Sequence, residues 1–145
     1  MSHPIATIGY EGAPLGEVLG RLNDAGVKLL IDVRAVAASR RAGFSKTILG
    51  NSLAEVGVGY LHLRDLGTPK DGRIAARAGR TEEMRTIFNA HMQTDGAQAA
   101  LQQAVAASRE KNVCLLCFEQ QWLCCHRAIV ADLMQGQTHA PILHL

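Results

Sequence analysis

One short segment holds most of the side chains of this chain that could do chemistry. Residues 115–130, LLCFEQQWLCCHRAIV, contain three of the four cysteines together with a glutamate, a histidine and an arginine. Thiolates are nucleophiles, redox groups and soft metal ligands. The segment is therefore compatible with a reactive thiol or redox pair, with a zinc site, or with buried thiols that support an anion-binding pocket.

Cys125 is the first candidate for a reactive thiol. It lies at the predicted N-terminus of a helix, where free backbone amides and the positive end of the helix dipole favour a thiolate. His126 and Arg127 follow it and add positive charge. Cys117 and Glu119 share one face of the preceding strand by their i, i+2 spacing. Cys117 could therefore approach Cys125 across a short loop.

A zinc site is the alternative that the spacing supports least. Cys114 and Cys117 form a C-x-x-C, but they lie inside an apolar strand and point to opposite faces, so Cys114 is expected in the core. The remaining set would be Cys117, Cys125 and His126, with Cys124 as a further ligand. Adjacent residues make poor shared ligands. We therefore expect no metal and no cofactor.

Strands and helices alternate along the chain, and they must position this segment. Apolar runs predict strands at Ile5–Ile8, Lys28–Val33, Tyr60–Leu63, Val113–Phe118 and, more briefly, within 141–145. Helical periodicity predicts helices that begin at Pro14, after Ser45, and near Thr81, Asp95 and Cys125. The pattern predicts a single α/β domain over 1–145, with a three-layer, mostly parallel, Rossmann-like sheet and helices on both faces. Gly67–Gly79 is predicted to be an irregular, mobile loop beside a site.

Polar side chains follow four of the predicted strands, at the sheet edge where open parallel sheets bind ligands. The candidates for catalysis are Cys125, Cys117, His62, Glu119, Tyr10 and His126. Cys125 would be the nucleophile or redox thiol. His62 or His126 would carry the proton, and Tyr10 would be an orienting hydroxyl.

A second group of residues at the same edge is expected to bind a ligand. Its members are Arg34, Arg40, Arg41, Ser45, Lys46, Arg127 and Asp32. Residues 33–54 contain no acid, and eleven of the fifteen basic residues of the chain are arginines, which suit phosphate or carboxylate groups. Asp32 is expected to orient Arg34, and Ser45 to cap the next helix. The expected partner is a small anionic ligand such as a nucleotide.

Bulk composition limits the other classes of function. The net charge of +2 is too small to indicate a nucleic-acid-binding protein, and 4% aromatic residues argue against a platform that stacks single strands. No apolar run approaches the ~18 residues needed to cross a bilayer, and the N-terminus lacks a signal-peptide pattern. We expect a cytoplasmic protein without a membrane partner. The sequence does not indicate an oligomeric state.

The order of several motifs resembles the family called domain of unknown function 488. The motifs are Gly9-Tyr10-Glu11-Gly12, Asp32-Val33-Arg34, Ser39-Arg40, Gly43-Phe44-Ser45-Lys46, Tyr60-Leu61-His62-Leu63, Leu66-Gly67, Cys117-Phe118-Glu119 and Cys125-His126-Arg127. The resemblance spans about Thr7 to Met134 and implies an α/β fold, but no established activity. Where the family pattern commonly has prolines ahead of its Ser-Arg and Gly-Phe pairs, this chain has Ala37 and Ala42, and Cys124 is additional to the pattern.

A second similarity involves the strand LLIDVR, which is similar to a strand of rhodanese-type sulfurtransferases. No GHIPGA-like segment follows it, and the segment from Cys117 to Arg127 is too long for a compact loop around one cysteine. The leading hypothesis is an enzyme that acts on a phosphate- or nucleotide-bearing substrate with a reactive cysteine. The alternatives are a non-catalytic nucleotide- or nucleic-acid-binding module and a structural zinc-binding module.

Overall fold

A five-stranded parallel sheet forms the centre of the computed structural model, which describes residues 3–145. Its strands are β1 (Ile5–Gly9), β2 (Leu29–Asp32), β3 (Gly59–His62), β4 (Val113–Cys117) and β5 (Ile142–His144). They lie in the order β3-β2-β4-β1-β5, and every neighbouring pair is parallel. All the predicted strands are present. The sheet is entirely parallel, whereas the sequence predicts a mostly parallel one.

Six α-helices connect and cover these strands in the described part of the chain. They are α1 (Leu15–Asp24), α2 (Lys46–Glu55), α3 (Lys70–Arg77), α4 (Thr81–His91), α5 (Asp95–Glu110) and α6 (His126–Thr138). Short 3-10 turns occupy Arg64–Leu66 and Trp122–Cys124. None of the helices within residues 3–145 is long and apolar enough to cross a bilayer.

The helices divide between the two faces of the sheet, which confirms the predicted three-layer α/β fold. On one face, Ile8, Leu30 and Leu116 pack with residues of α1 and α2. On the other face, the sheet packs with α4, α5 and α6 through side chains such as Phe88 and Met134. Cys114 belongs to the first cluster and Cys117 to the second, as their spacing on the strand predicts.

The central strands create a place for a ligand. β1 and β4 are neighbours, but α1 follows β1 on one face and α6 follows β4 on the other. Connections that leave two adjacent parallel strands in opposite directions open a crevice at their carboxyl ends. The loops after β1 and β4 therefore meet where the fold favours binding.

One prediction of secondary structure is wrong. Gly67–Gly79 is not irregular, because residues 70–77 form α3. Pro69 directly precedes the first helical residue, and Gly79, with φ of +78°, ends the helix in a left-handed conformation. The helix is short and has few apolar residues, and only Gly72 and Ala75 are buried. Such a weak apolar stripe gives little periodic signal.

Candidate functional site

A cavity of about 690 Å³ lies at the carboxyl ends of the strands. The loops after β1, β2 and β4 form one side of it, and α3 and the start of α4 form the other. Arginine side chains and sulfur-containing side chains line its wall. The position agrees with the crevice that the topology of β1 and β4 creates.

The structure places about half of the predicted site residues on this wall. Those that line it are Tyr10, Arg34, Arg40, Cys117, Glu119 and His126. Those that do not are Cys125, His62, Arg41, Ser45, Lys46, Arg127 and Asp32. Several of the second group act on the first, so their contacts show how the site is built.

Asp32 and Arg34 form a buried ion pair at the end of β2. The carboxylate of Asp32 accepts hydrogen bonds from Nε of Arg34 at 2.8 Å and from Nη2 at 2.6 Å. It also accepts from the backbone amide of Arg34 at 3.1 Å and from the hydroxyl of Tyr60 at 2.6 Å. Asp32 therefore orients Arg34, the role that its i, i+2 spacing predicts.

Arg34 carries little free charge toward a ligand because Asp32 neutralises it. Burial by itself lowers the pKa of Arg34, but the hydrogen bonds and charge of Asp32 outweigh burial, and the pKa is raised. Nη1 of Arg34 donates to the hydroxyl of Tyr10 at 3.1 Å, and the ring of Tyr10 stacks on Phe44. The two side chains thus form a fixed part of the wall.

Cys117 and Cys125 are brought together as a disulfide. Cys117 ends β4 and Cys125 occupies the N-cap of α6, and the two residues are 1% and 3% exposed. Nη1 of Arg127 donates to the sulfur of Cys117 at 3.1 Å. The backbone amide of Arg127 donates to the sulfur of Cys125 at 3.5 Å. Each sulfur therefore has a donor that would stabilise its thiolate.

Arg127 supports the loop after β4 instead of reaching into the cavity. Its side chain is 1% exposed, and its guanidinium donates to the backbone carbonyls of Glu119 and Gln120. Within the described residues its Nε has no hydrogen-bond partner. The carbonyl group of Glu119 lies directly against β1 at position 9. This close contact requires a glycine there, because an added Cβ would overlap that carbonyl group.

His126 lies at the start of α6, where it is almost fully buried at the edge of the cavity wall. Its Nε2 donates to the carbonyl of Val33 at 2.7 Å, and its Nδ1 lies 3.7 Å from the sulfur of Cys125. Burial lowers the pKa of His126 to about 4, although the hydrogen bond to Val33 opposes this. The imidazole is therefore neutral at pH 7. His62, the other predicted proton carrier, donates to the carbonyl of Arg34 at 2.8 Å, away from the cavity.

The basic loop after β2 sends only one of its charged side chains to the cavity. Arg40 lines the wall, whereas Arg41 donates to the carbonyl of Ala13 at 2.8 Å. Lys46 is exposed at the first position of α2. Ser45 occupies the N-cap of α2, but its hydroxyl makes no cap bond and instead exchanges hydrogen bonds with the backbone of Ser39. Ser45 therefore closes the loop.

Sequence reasoning missed Arg73 and Arg77, which line the opposite side of the cavity. They lie four residues apart on α3, so they share one face of the helix. Nη1 of Arg73 donates to the carbonyl of Thr68 at 2.9 Å. The signal that could have found them is the i, i+4 pair of arginines between Pro69 and Gly79.

Two acids share the wall with these arginines. Glu11 accepts a hydrogen bond from the backbone amide of Gln120 at 3.1 Å. Glu119 is partly buried, and burial raises the pKa of its carboxyl group. A carboxylate oxygen of Glu119 lies 3.5 Å from the sulfur of Cys117.

Comparison with known proteins identifies the family. The family model of DUF488, described as a domain of unknown function, matches residues 14–134. The chain belongs to the DUF488 family. The match agrees with the resemblance carried by its motifs, although Gly9–Gly12 lies before the matched segment. No curated protein and no solved structure matches the chain.

In this DUF488 protein, one group of side chains among residues 3–145 has the composition and spacing of a metal site. The ligand atoms of Cys117, Cys125 and His126 all lie within 4.8 Å of one another. The sequence predicts that adjacent residues make poor shared ligands, yet the ligand atoms of Cys125 and His126 lie close together. The backbone is extended at Cys125 and helical from His126 onward, so the two side chains converge.

Proposed function

We propose that this DUF488 protein binds a small phosphate-bearing molecule, such as a nucleotide, in the cavity and acts on it through the cysteine pair. The observation that carries the proposal is the arrangement of Arg40, Arg73 and Arg77 around the cavity. Within residues 3–145 none of the three forms an ion pair. Their charge is therefore available to an anion that enters between them.

The charge of the wall supports an anionic ligand. Arg34 is neutralised by Asp32, and Glu11 and Glu119 are the acids that face the three remaining arginines. Three arginines against two acids leave positive charge in excess on the wall. A guanidinium offers paired N–H donors that match two oxygens of a phosphate group. A cavity of about 690 Å³ has the size of ordinary small-molecule sites.

Cys117 is the thiol that this proposal places beside the ligand. Cys117 lines the cavity and Cys125 lies behind it. The guanidinium of Arg127 donates to the sulfur of Cys117 and favours its thiolate. The sequence assigns the nucleophile to Cys125, and the contacts support Cys117 instead.

We also propose a cytoplasmic location, where thiols are kept reduced.

A non-catalytic binding module is the second candidate, and the burial of both sulfurs favours it. Cys117 and Cys125 are almost fully buried and joined to each other, whereas the arginines alone could hold a phosphate group. A nucleic-acid ligand would also reach the arginines, but its affinity would grow with the length of the strand.

The first experiment measures binding of inorganic phosphate, pyrophosphate and adenosine monophosphate by calorimetry. We expect Arg73→Gln and Arg77→Gln each to weaken binding of the tightest probe by about 10-fold or more, because each removes a charge-assisted hydrogen bond. Arg109→Gln is the matched control, since Arg109 is exposed and bonds the carbonyl of Gln137 on the other side of the molecule. Equal affinities for all four proteins would contradict the proposed cavity.

A second experiment, alkylation of the cysteines, distinguishes an enzyme from a binding module. In reduced protein, iodoacetamide should modify Cys117, and the bound probe should slow that reaction because Cys117 lines the cavity. Cys114 is the internal negative control and should stay unmodified, because burial raises the pKa of its thiol. If Cys117 stays unmodified while the probe binds normally, the protein is a binding module.

A further inference from the structure

We propose that, when Cys117 and Cys125 are reduced, the protein holds one divalent metal ion of the zinc class between their sulfurs and Nδ1 of His126. The fourth coordination position would open into the cavity. This assignment rests on the geometry of the cluster and is independent of what the arginines bind.

The distance between the Cys125 and His126 ligand atoms fits a tetrahedral site. Zinc–sulfur bonds of about 2.3 Å and zinc–nitrogen bonds of about 2.0–2.1 Å place a thiolate and an imidazole ligand about 3.6 Å apart. The sulfur of Cys125 and Nδ1 of His126 lie 3.7 Å apart. All three ligand atoms lie within 4.8 Å of one another. Cys125 and His126 are therefore already close to the required spacing, whereas the two bonded sulfurs must first separate.

The backbones of the two cysteines leave room for a metal ion. Their Cα atoms lie 7.5 Å apart. Ordinary disulfides join cysteines whose Cα atoms are about 4.4–6.8 Å apart. Two sulfurs that share a tetrahedral zinc ion are separated by about 3.8 Å. Once the disulfide is reduced, the wide backbone separation allows the sulfurs to move to that spacing.

The hydrogen bond of His126 leaves the correct nitrogen free. A carbonyl oxygen can only accept, so the bond from Nε2 to Val33 places the ring proton on Nε2. The lone pair of the neutral ring is then on Nδ1, the atom that faces Cys125. A histidine ligand whose second nitrogen donates to a backbone carbonyl is the usual arrangement in metal sites.

Both sulfurs have donors outside the cluster that would stabilise their charge. Cys125 accepts from the backbone amide of Arg127, and Cys117 accepts from its guanidinium. Outer hydrogen bonds of this kind hold metal ligands in orientation. Arg127 is largely buried, so it would act on the cluster without contacting a ligand in the cavity.

The open position distinguishes this site from a structural zinc module. Cys117 and His126 line the cavity, so the metal would face it on that side. Three protein ligands and one exchangeable position are typical of catalytic zinc sites, whereas structural sites have four protein ligands. A phosphate oxygen or a water molecule could occupy the fourth position.

Oxidation and metal binding compete for the same sulfurs. Two molecules of a low-molecular-weight thiol supply two electrons and two protons to the Cys117–Cys125 bond, which gives two thiols and one oxidised thiol dimer. Both cysteine protons leave as the thiolates bind the divalent ion. In the metal-bound state Cys117 is a ligand and not a free nucleophile, so the thiol chemistry proposed for Cys117 requires the reduced, metal-free state.

The test is a titration of the reduced, chelator-treated full chain with Co²⁺ followed by Zn²⁺. We expect one Co²⁺ per chain, with the absorption of a tetrahedral thiolate complex, and displacement by Zn²⁺. Cys117→Ala, Cys125→Ala and His126→Gln should weaken binding by more than about 100-fold, since losing an outer hydrogen bond alone costs about 10–100-fold. Cys114→Ala and Cys124→Ser should bind Co²⁺ like the parent chain.

A measurement on the unaltered chain guards against variants that fail to fold. Zn²⁺ should protect Cys117 and Cys125 from alkylation and leave exposed Cys124 reactive. No Co²⁺ complex and no protection by Zn²⁺ would overturn the metal site and leave the arginine cavity untouched. A loss of affinity in Cys124→Ser equal to that in Cys125→Ala would overturn the open position, because Cys124 would then be the fourth ligand.

Discussion

At the scale of single residues, the buried carboxylate of Asp32 organises the side of the site formed by β2. It accepts hydrogen bonds from the side chain and backbone of Arg34 and from Tyr60. Arg34 in turn donates to Tyr10 on the cavity wall. The charge of Asp32 therefore positions Arg34 and Tyr60 directly and Tyr10 through Arg34. These side chains belong to three different strands or to the loops that follow them.

Asp32→Asn should destabilise the protein strongly. It removes the charge that compensates the buried guanidinium of Arg34, and breaking a buried ion pair costs about 3–5 kcal/mol. Tyr60→Phe is the matched change, because it removes one hydrogen bond to the same carboxylate and should cost about 1 kcal/mol. Urea unfolding of the two variants gives both free energies. Equal losses in the two variants would show that the charge of Asp32 does not hold the network.

The sequence predicts such residues well where the spacing along one strand decides the outcome. Asp32 and Arg34 share a face by i, i+2 spacing, and Cys114 and Cys117 lie on opposite faces. Arg127 shows the limit of this reasoning. Its place in the chain is clear from the sequence, but the direction of its guanidinium depends on free carbonyls of Glu119 and Gln120, which only the folded loop presents.

At the scale of elements, α3 explains why part of the site could not be predicted from the sequence. The long, apolar helices and the buried strands give strong periodic patterns, and their bounds agree with prediction to within a few residues. α3 has eight residues and little apolar surface, and it exists largely because it packs against α4. Because tertiary contacts stabilise it, local periodicity does not predict it, and its two cavity arginines were missed with it.

The close contact between α3 and α4 leads to a prediction at Gly72. A Cβ there would overlap the side chain of Thr68 and lie 3.2 Å from a methyl group of Ile87. Gly72→Ala should therefore destabilise the protein by about 1–3 kcal/mol and weaken binding of pyrophosphate, because α3 carries Arg73 and Arg77. Calorimetric binding and urea unfolding of the variant measure the two effects.

Gly136→Ala provides the control for this change. Gly136 lies in α6, and nothing stands within 4 Å of an added Cβ. Replacing a helical glycine by alanine at such a position stabilises by about 0.5–1 kcal/mol. If Gly72→Ala behaved like Gly136→Ala and bound pyrophosphate normally, the packing of α3 against α4 would not control the arginines.

At the scale of the whole molecule, the strand order joins the arginine cavity to the cysteine pair. β1 and β4 lie side by side, and their following helices cover opposite faces of the sheet. The crevice at their ends lies between the loop that carries Tyr10 and the segment that contains Cys117 and Cys125. The motifs predict that these groups lie near one edge, whereas the bond between the two sulfurs depends on how α6 returns to the sheet.

The state of the cysteine pair should control the stability of the whole chain. The disulfide closes a loop with a sequence separation of 8. Such a loop lowers the entropy of the unfolded chain enough to stabilise the fold by about 2.5 kcal/mol. Reduction should therefore lower the free energy of unfolding by about 2.5 kcal/mol. Zn²⁺ at 100 times its dissociation constant should add about 2.7 kcal/mol to the reduced form, since the ion binds the folded state.

Urea unfolding of the oxidised, reduced and Zn²⁺-loaded chain tests this order of stability. Cys117→Ser is the control, because it can neither form the disulfide nor complete the metal site, so neither reductant nor Zn²⁺ should change its unfolding. A reduced chain that is as stable as the oxidised one would show that the disulfide does not constrain the unfolded state. Stabilisation of Cys117→Ser by Zn²⁺ would place the ion elsewhere, because the cavity-facing sulfur would then be unnecessary for binding.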